Sequence, residues 1–309
     1  MLGHFLKEMI IIYMMGMIGF VMRKTNILPK PTNAVLTQLI LYMTLPALIL
    51  FSLDISISWS LVTAFFWLVL MSIYVLVASI FLALSMRKKA HLPDSQKSVY
   101  ESLMIFGNQG FIGYAVSYLL LQEEGIIYVT IFNICYLILI WTYGIFLFTK
   151  QSKTIDWKQI FLNPGILATT VGVMLMFSPL SWPNIIAVPL ENIGKMTIPL
   201  SMILIGSLIA EVNFDNIRQW LKNKYIWNAT VIRLIFIPSL LIPFMFFPIA
   251  LPILMNAIIV SGMPSAPTIS LYAQRFGGDS GFASFGVLLS TILCTITIPF
   301  FVFLLQLTY

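Results

Sequence analysis

Residues 104–115 read Met104-Ile105-Phe106-Gly107-Asn108-Gln109-Gly110-Phe111-Ile112-Gly113-Tyr114-Ala115. They sit where a membrane-spanning helix belongs, yet three glycines and two side-chain amides crowd into seven positions. Each glycine weakens a helix by about 1 kcal/mol relative to alanine. An amide facing lipid without a partner costs free energy as well. Hydrocarbon tolerates irregular or polar backbone only where it is buried in protein or lines a cavity. The stretch therefore reads as half of a ligand site.

The surrounding chain fits a membrane. It has 309 residues, 60% hydrophobic and 9% charged, with a mean hydropathy of +0.97. Soluble chains carry about 25% charged residues. Apolar runs near the length of a membrane span recur throughout, which predicts an all-α polytopic membrane protein rather than a soluble domain. The two cysteines, Cys135 and Cys294, lie in apolar segments and suggest neither a disulfide framework nor a metal site. The first apolar run, 9–22, ends at Arg23-Lys24 without a small-residue cleavage pattern, so it is expected to stay as the first span.

Ten spans can be drawn: 4–22, 33–52, 59–86, 98–120, 125–149, 160–178, 185–210, 225–247, 252–273 and 280–306. The third and seventh exceed a core about 30 Å thick and must tilt or protrude. The longest polar stretches between spans are 87–97 and 211–224, so function is expected in or at the membrane. Fourteen of the 17 Lys and Arg fall in loops after odd-numbered spans. They include Arg23, Lys24, Lys30, Arg87, Lys88, Lys89, Lys150, Lys153, Lys158, Arg218, Lys222, Lys224 and Arg275. Lys7 alone lies on the opposite side, beside Asp54, Glu123 and Glu124. This positive-inside split predicts odd loops in the cytoplasm and both termini outside. The net charge of +6 follows those loops and is no nucleic-acid signal.

The halves of the chain resemble one another. Met43-Thr44-Leu45-Pro46 in span two reappears as Met196-Thr197-Ile198-Pro199 in span seven. The glycine-rich stretch of span four answers to Ser261-Gly262-Met263-Pro264-Ser265-Ala266-Pro267-Thr268 in span nine, and Gly125 answers to Gly281. Five spans is an odd number, so the second copy must enter the membrane upside down. The expectation is two inverted five-helix repeats, 1–150 and 151–309, with matched broken helices, the sequence pointer to a secondary transporter.

Spans four and nine are the interrupted pair. Pro264 and Pro267 each remove a backbone donor and disfavour helix at the residue before. The carbonyls and amide ends so freed become ready ligands for an anion or an ion. Ser261, Ser265, Thr268 and Ser270 add hydroxyls, and Asn108 and Gln109 add amides that both donate and accept. The competing reading is a pair of ordinary kinks satisfied by neighbouring helices. Pro46 and Pro199 read as packing kinks. Glu191 and Lys195, four apart, share a helix face and can pair. Arg233 lies a turn or two from the cytoplasmic end of span eight, where snorkelling accounts for it, with a substrate-carboxylate role second. Glu101, two turns before Asn108, either couples protons or faces the inner water. No Ser-His-Asp, metal-ligand or phosphate-loop pattern lies in the spans, so no enzyme and no cofactor is expected.

At this point the chain resembles the auxin efflux carrier family, the PIN-like bacterial permeases that include malate permease-like proteins. The resemblance runs over nearly the full length. It rests on Leu45-Pro46-Ala47-Leu48-Ile49-Leu50, Gly107-Asn108-Gln109-Gly110-Phe111-Ile112-Gly113, Gly262-Met263-Pro264-Ser265-Ala266-Pro267, Ala283-Ser284, Leu289-Ser290-Thr291 and Ile298-Pro299. It implies crossed broken helices four and nine, a scaffold of spans one, two, six and seven, and a moving bundle of the others. It also implies that Asn108 helps bind an organic anion at the crossing. One departure stands out. The family usually has Gly-x-Pro after that asparagine, whereas this chain reads Gly113-Tyr114-Ala115, so its break must rest on Gly107, Gly110 and Gly113.

The function expected is secondary transport of a small organic anion, a carboxylate such as a dicarboxylate or an auxin-like acid, across the cell membrane by alternating access. The binding residues would be Asn108, Gln109, Gly110, Tyr114, Ser261, Pro264, Ser265 and Thr268, with Glu101 as a coupling candidate. The alternative is a membrane sensor that binds ligand without moving it. Proton and sodium both remain open as coupling ion, and a homodimer is compatible with the reading.

Overall fold

A computed structural model describes residues 2–29, 31–55, 58–148, 162, 164–211 and 220–308. Lys30, Lys150, Lys153, Lys158 and Arg218 of the topology argument, and the expected repeat junction near 150, lie outside the described residues. Those described are helical, with one isolated backbone bridge between extended residues. Six helices among them are long and apolar enough to cross a membrane: Thr32–Ser52, Trp59–Lys89, Gln109–Phe148, Asn184–Ala210, Lys224–Phe246 and Ser280–Leu307. Pro164–Met176 and Leu251–Ser261 are shorter apolar helices, and Leu2–Lys24 is helical over 23 residues.

The 40 residues Gln109–Phe148 do not form one rod. The Tyr114 hydroxyl and Thr130 Oγ1 are 3.1 Å apart, whereas sixteen residues of straight α-helix would separate them by about 24 Å. The chain doubles back at Gln122, whose φ of 53° and ψ of −133° are far from helical. The boundary between the fourth and fifth expected spans, at 120–125, falls on this turn.

The chain divides into two compact units. The first comprises Met1–Phe66, Gly110–Leu137 and Asp156–Glu211. The second comprises Trp67–Gln109, Ile138–Ile155 and Val212–Tyr309.

In the first unit, Leu2–Lys24 packs along Thr197–Ala210. The contact is backbone to backbone: a Cβ at Gly206 would collide with the Gly16 carbonyl oxygen, and one at Gly19 with the Ile203 carbonyl. Small residues let helices approach this closely where no hydrophobic drive between them exists in lipid. Arg23, at the end of the first helix, is tied down rather than merely exposed to the inner surface. It donates through Nη1 to the Leu28 carbonyl at 2.7 Å and pairs through Nη2 with Glu211 at 2.7 Å. Lys195 pairs with Glu191, as their spacing predicts.

Prolines in the spans are accommodated locally. A proline ring clashes with the carbonyl four residues earlier and leaves it without a donor. Pro46 is preceded by the π-helical turn Ile40–Thr44, which contains that carbonyl, Tyr42. In the second unit, Pro238 is preceded by the π-helical turn Ile232–Phe236, which contains Leu234. One extra residue per turn opens the room each ring needs. Pro199 stands in the first turn of Thr197–Ala210, where no donor is required.

The Gly206 contact generates a prediction. Gly206→Leu forces the first and seventh spans apart, and such overpacking costs about 1–3 kcal/mol. The purified variant should unfold at a lower temperature than wild type in a detergent melting assay, while Gly110→Leu, at a position with nothing within 4 Å of a Cβ, should melt close to wild type.

Candidate functional site

The site lies in the second unit, where both interruptions meet. The first half of the fourth span, Asp94–Ile105, ends with Phe106 in extended backbone at φ −96° and ψ 107°. The first half of the ninth, Leu251–Ser261, ends at Gly262, and helix resumes at Thr268–Phe276. Between these ends Gly107 and Ser265 form an antiparallel bridge. The Asn108 amide donates to the Pro264 carbonyl at 2.6 Å, and the Ala266 amide donates to the Phe106 carbonyl at 3.0 Å. Backbone that leaves a helix inside a membrane must find other partners, and these two interruptions supply each other.

Their remaining carbonyls converge on one side chain. Arg233, 2% exposed, donates through Nε to the Met263 carbonyl at 2.8 Å. Through Nη1 it reaches the carbonyls of Ile105 at 3.0 Å and Met104 at 3.4 Å, and through Nη2 that of Ser261 at 2.7 Å. Its fork thus caps the C-terminal ends of both half-helices, the ends that carry partial negative charge. This corrects two expectations. Arg233 does not snorkel to an aqueous surface, because it is buried against main chain. Nor are the carbonyls of these helix ends ready ligands for a cation, because a guanidinium already occupies them. Gly107 is required by the same contact, since a Cβ there would strike the guanidinium.

The sequence-predicted ligands separate into groups. Asn108 and Gln109 are buried, at 2% and 1% exposed, and Asn108 Nδ2 and Gln109 Oε1 have no hydrogen-bond partner. A buried polar atom left unpaired costs about 1–3 kcal/mol, so each asks for an explanation. Ser265 is spent on the framework: its hydroxyl donates to the Leu103 carbonyl at 2.8 Å, and its amide donates to Ser290 Oγ at 3.1 Å. The Ser261 hydroxyl donates to Ile258 within its own helix at 2.8 Å. Pro264 offers its carbonyl to Asn108, and Thr268 opens the second half-helix, half-buried. Gly110 and Tyr114 belong to the first unit, where the Tyr114 hydroxyl meets Thr130.

Glu101 is 0% exposed and so does not face inner water. Arg87 from the third span donates to its Oε2 at 2.5 Å, and the Tyr143 hydroxyl donates to the other carboxylate oxygen. Arg87 had been counted only as a topology charge. Tyr143 carried no signal at all, since its partner lies 42 residues away in sequence.

Broken, mutually bridged helices in an apolar helical chain define a membrane transport protein. The chain belongs to one family of these. A family model described as membrane transport protein, the auxin efflux carrier and PIN-like family, matches residues 4–302. No curated protein matches the chain.

The Glu101 pair can be tested by a mutant cycle. Removing one partner from a buried ion pair costs about 3–5 kcal/mol, because the other charge stays buried. Arg87→Met should therefore lower the melting temperature sharply. Adding Glu101→Gln to that variant should recover most of the loss, and additive losses would show that the two side chains act independently.

Proposed function

We propose that this protein is a secondary transporter of a small organic anion, a carboxylate such as a dicarboxylate or an auxin-like acid, in the cell membrane. In this reading the chain makes ten spans in two inverted repeats with both termini outside. The fourth and ninth spans cross at the Gly107–Ser265 bridge, and the anion binds there between Asn108, Gln109 and the opening turn at Thr268. Translocation is by alternating access, with Glu101 as the coupling candidate.

The observation that carries this is the pair of orphan atoms on Asn108 and Gln109, buried beside a bridge of interrupted helices. An amide N–H donor suits a carboxylate oxygen, and the neighbouring amide oxygen accepts from a hydroxyl or a protonated acid. The first turn of Thr268–Phe276 adds unsatisfied amides and the positive end of a helix dipole. Membership of a transport family supports translocation over mere sensing.

Uptake of radiolabelled malate and indole-3-acetate into proteoliposomes tests the proposal. Losing a hydrogen bond to a charged group is worth about 1.5–3 kcal/mol, so Asn108→Ala should lower uptake of the transported acid about tenfold or more, with an unchanged melting temperature. Wild-type uptake in that variant would remove Asn108 from the site, and saturable binding without accumulation would make the protein a sensor.

A further inference from the structure

Arg233 is outside the set of residues that the transport reading uses. Its guanidinium is a planar fork of five donors that stays charged at any physiological pH. Here that fork spans two chain interruptions, taking carbonyls from 104 and 105 on one side and from 261 and 263 on the other. Each half-helix C-terminus carries about half a negative elementary charge. Two such ends converge beside Asn108, and together they would repel an anion about as strongly as a carboxylate there. One fixed guanidinium offsets both. What remains uncompensated at the bridge is the positive amide end of Thr268–Phe276.

We propose that Arg233 is the selectivity and positioning residue of this site. By neutralising both half-helix C-termini it lets the bridge region accept an anion, and by binding them together it fixes the register of the Gly107–Ser265 bridge. The selectivity half rests on the reading of the bridge as the substrate site; the positioning half does not.

The measurement is a thermal-shift titration of purified protein with malate and indole-3-acetate, each beside its neutral amide. Wild type should bind acid over amide. Arg233→Gln should lose that preference about tenfold or more, the scale of one helix-end charge interaction in a partly buried setting, while amide binding holds or improves. A purely structural defect would instead weaken acid and amide alike. Arg233→Lys keeps the charge and should retain most of the preference. An unchanged acid-to-amide ratio in Arg233→Gln overturns the selectivity claim.

Hydrogen exchange reads the positioning half without any ligand. Gly107→Ala drives a Cβ into the fork while keeping its charge, and Arg233→Lys replaces the fork by a point charge. Both should speed exchange at the Asn108 and Ala266 amides relative to amides of Ser280–Thr308. These variants also serve if Arg233→Gln fails to fold. Unchanged exchange in both overturns the positioning claim. If wild type is shifted by neither acid, the substrate reading and the selectivity claim fall together, and the exchange data still decide whether Arg233 holds the bridge.

Discussion

Arg233 and the carbonyls it collects are the interaction on which the second unit depends. A helix broken inside a membrane exposes groups that lipid cannot satisfy. Here two helices break at the same place, so the number of stranded carbonyls doubles. The bridge consumes two, at Phe106 and Pro264, and Ser265 takes that of Leu103. Arg233 takes those of Met104, Ile105, Ser261 and Met263. A lysine offers three donors from one point and cannot span both chains in this way. The burial of a cation, normally costly, is compensated by two negative helix ends brought to meet it.

The π-helical turns belong to the same economy. Ile232–Phe236 contains Arg233, Ile140–Gly144 contains Tyr143, and Gln109–Gly113 contains Gln109. Such turns shift the following side chains around the helix by adding a residue, and they gather at functional positions. In Ile232–Phe236 one distortion serves two needs, since it also makes room for Pro238. Prolines and polar side chains that would each be expensive alone are thus placed where a single irregularity accommodates both.

What the sequence made legible follows from where the physical signal resides. The interruptions at 107–113 and 262–267 were readable because glycine and proline act locally, through backbone entropy and missing donors. Transport as a class was readable from composition and the two breaks. The register of the bridge was not, since it is fixed by main-chain partners 156 and 160 residues apart, Asn108 to Pro264 and Phe106 to Ala266. Arg233 was misread for a related reason: all four of its carbonyl partners are backbone, and a carbonyl leaves no mark in sequence. The stronger signal was its being a cation inside an apolar span, which by itself argues for a function. For Glu101 the carboxylate was visible and its partners, Arg87 and Tyr143, were not.

The missing proline of span four bears on how the break is enforced. A helix of ordinary residues would close over a glycine if nothing else held it open, because each closed turn gains a hydrogen bond. Gly110 is not under steric demand, since a Cβ there meets nothing. Gly107 is, because the guanidinium fills the space its side chain would need. The neighbours of Gly107 are committed outward, Phe106 accepting from Ala266 and Asn108 donating to Pro264, so neither can continue the ladder of its own helix. Pro264 and Pro267 hold the ninth span open by covalent structure. The ninth span then holds the fourth open through the bridge, with Arg233 fixing both ends. One pair of prolines is enough to keep two helices broken, provided that the two breaks bind each other.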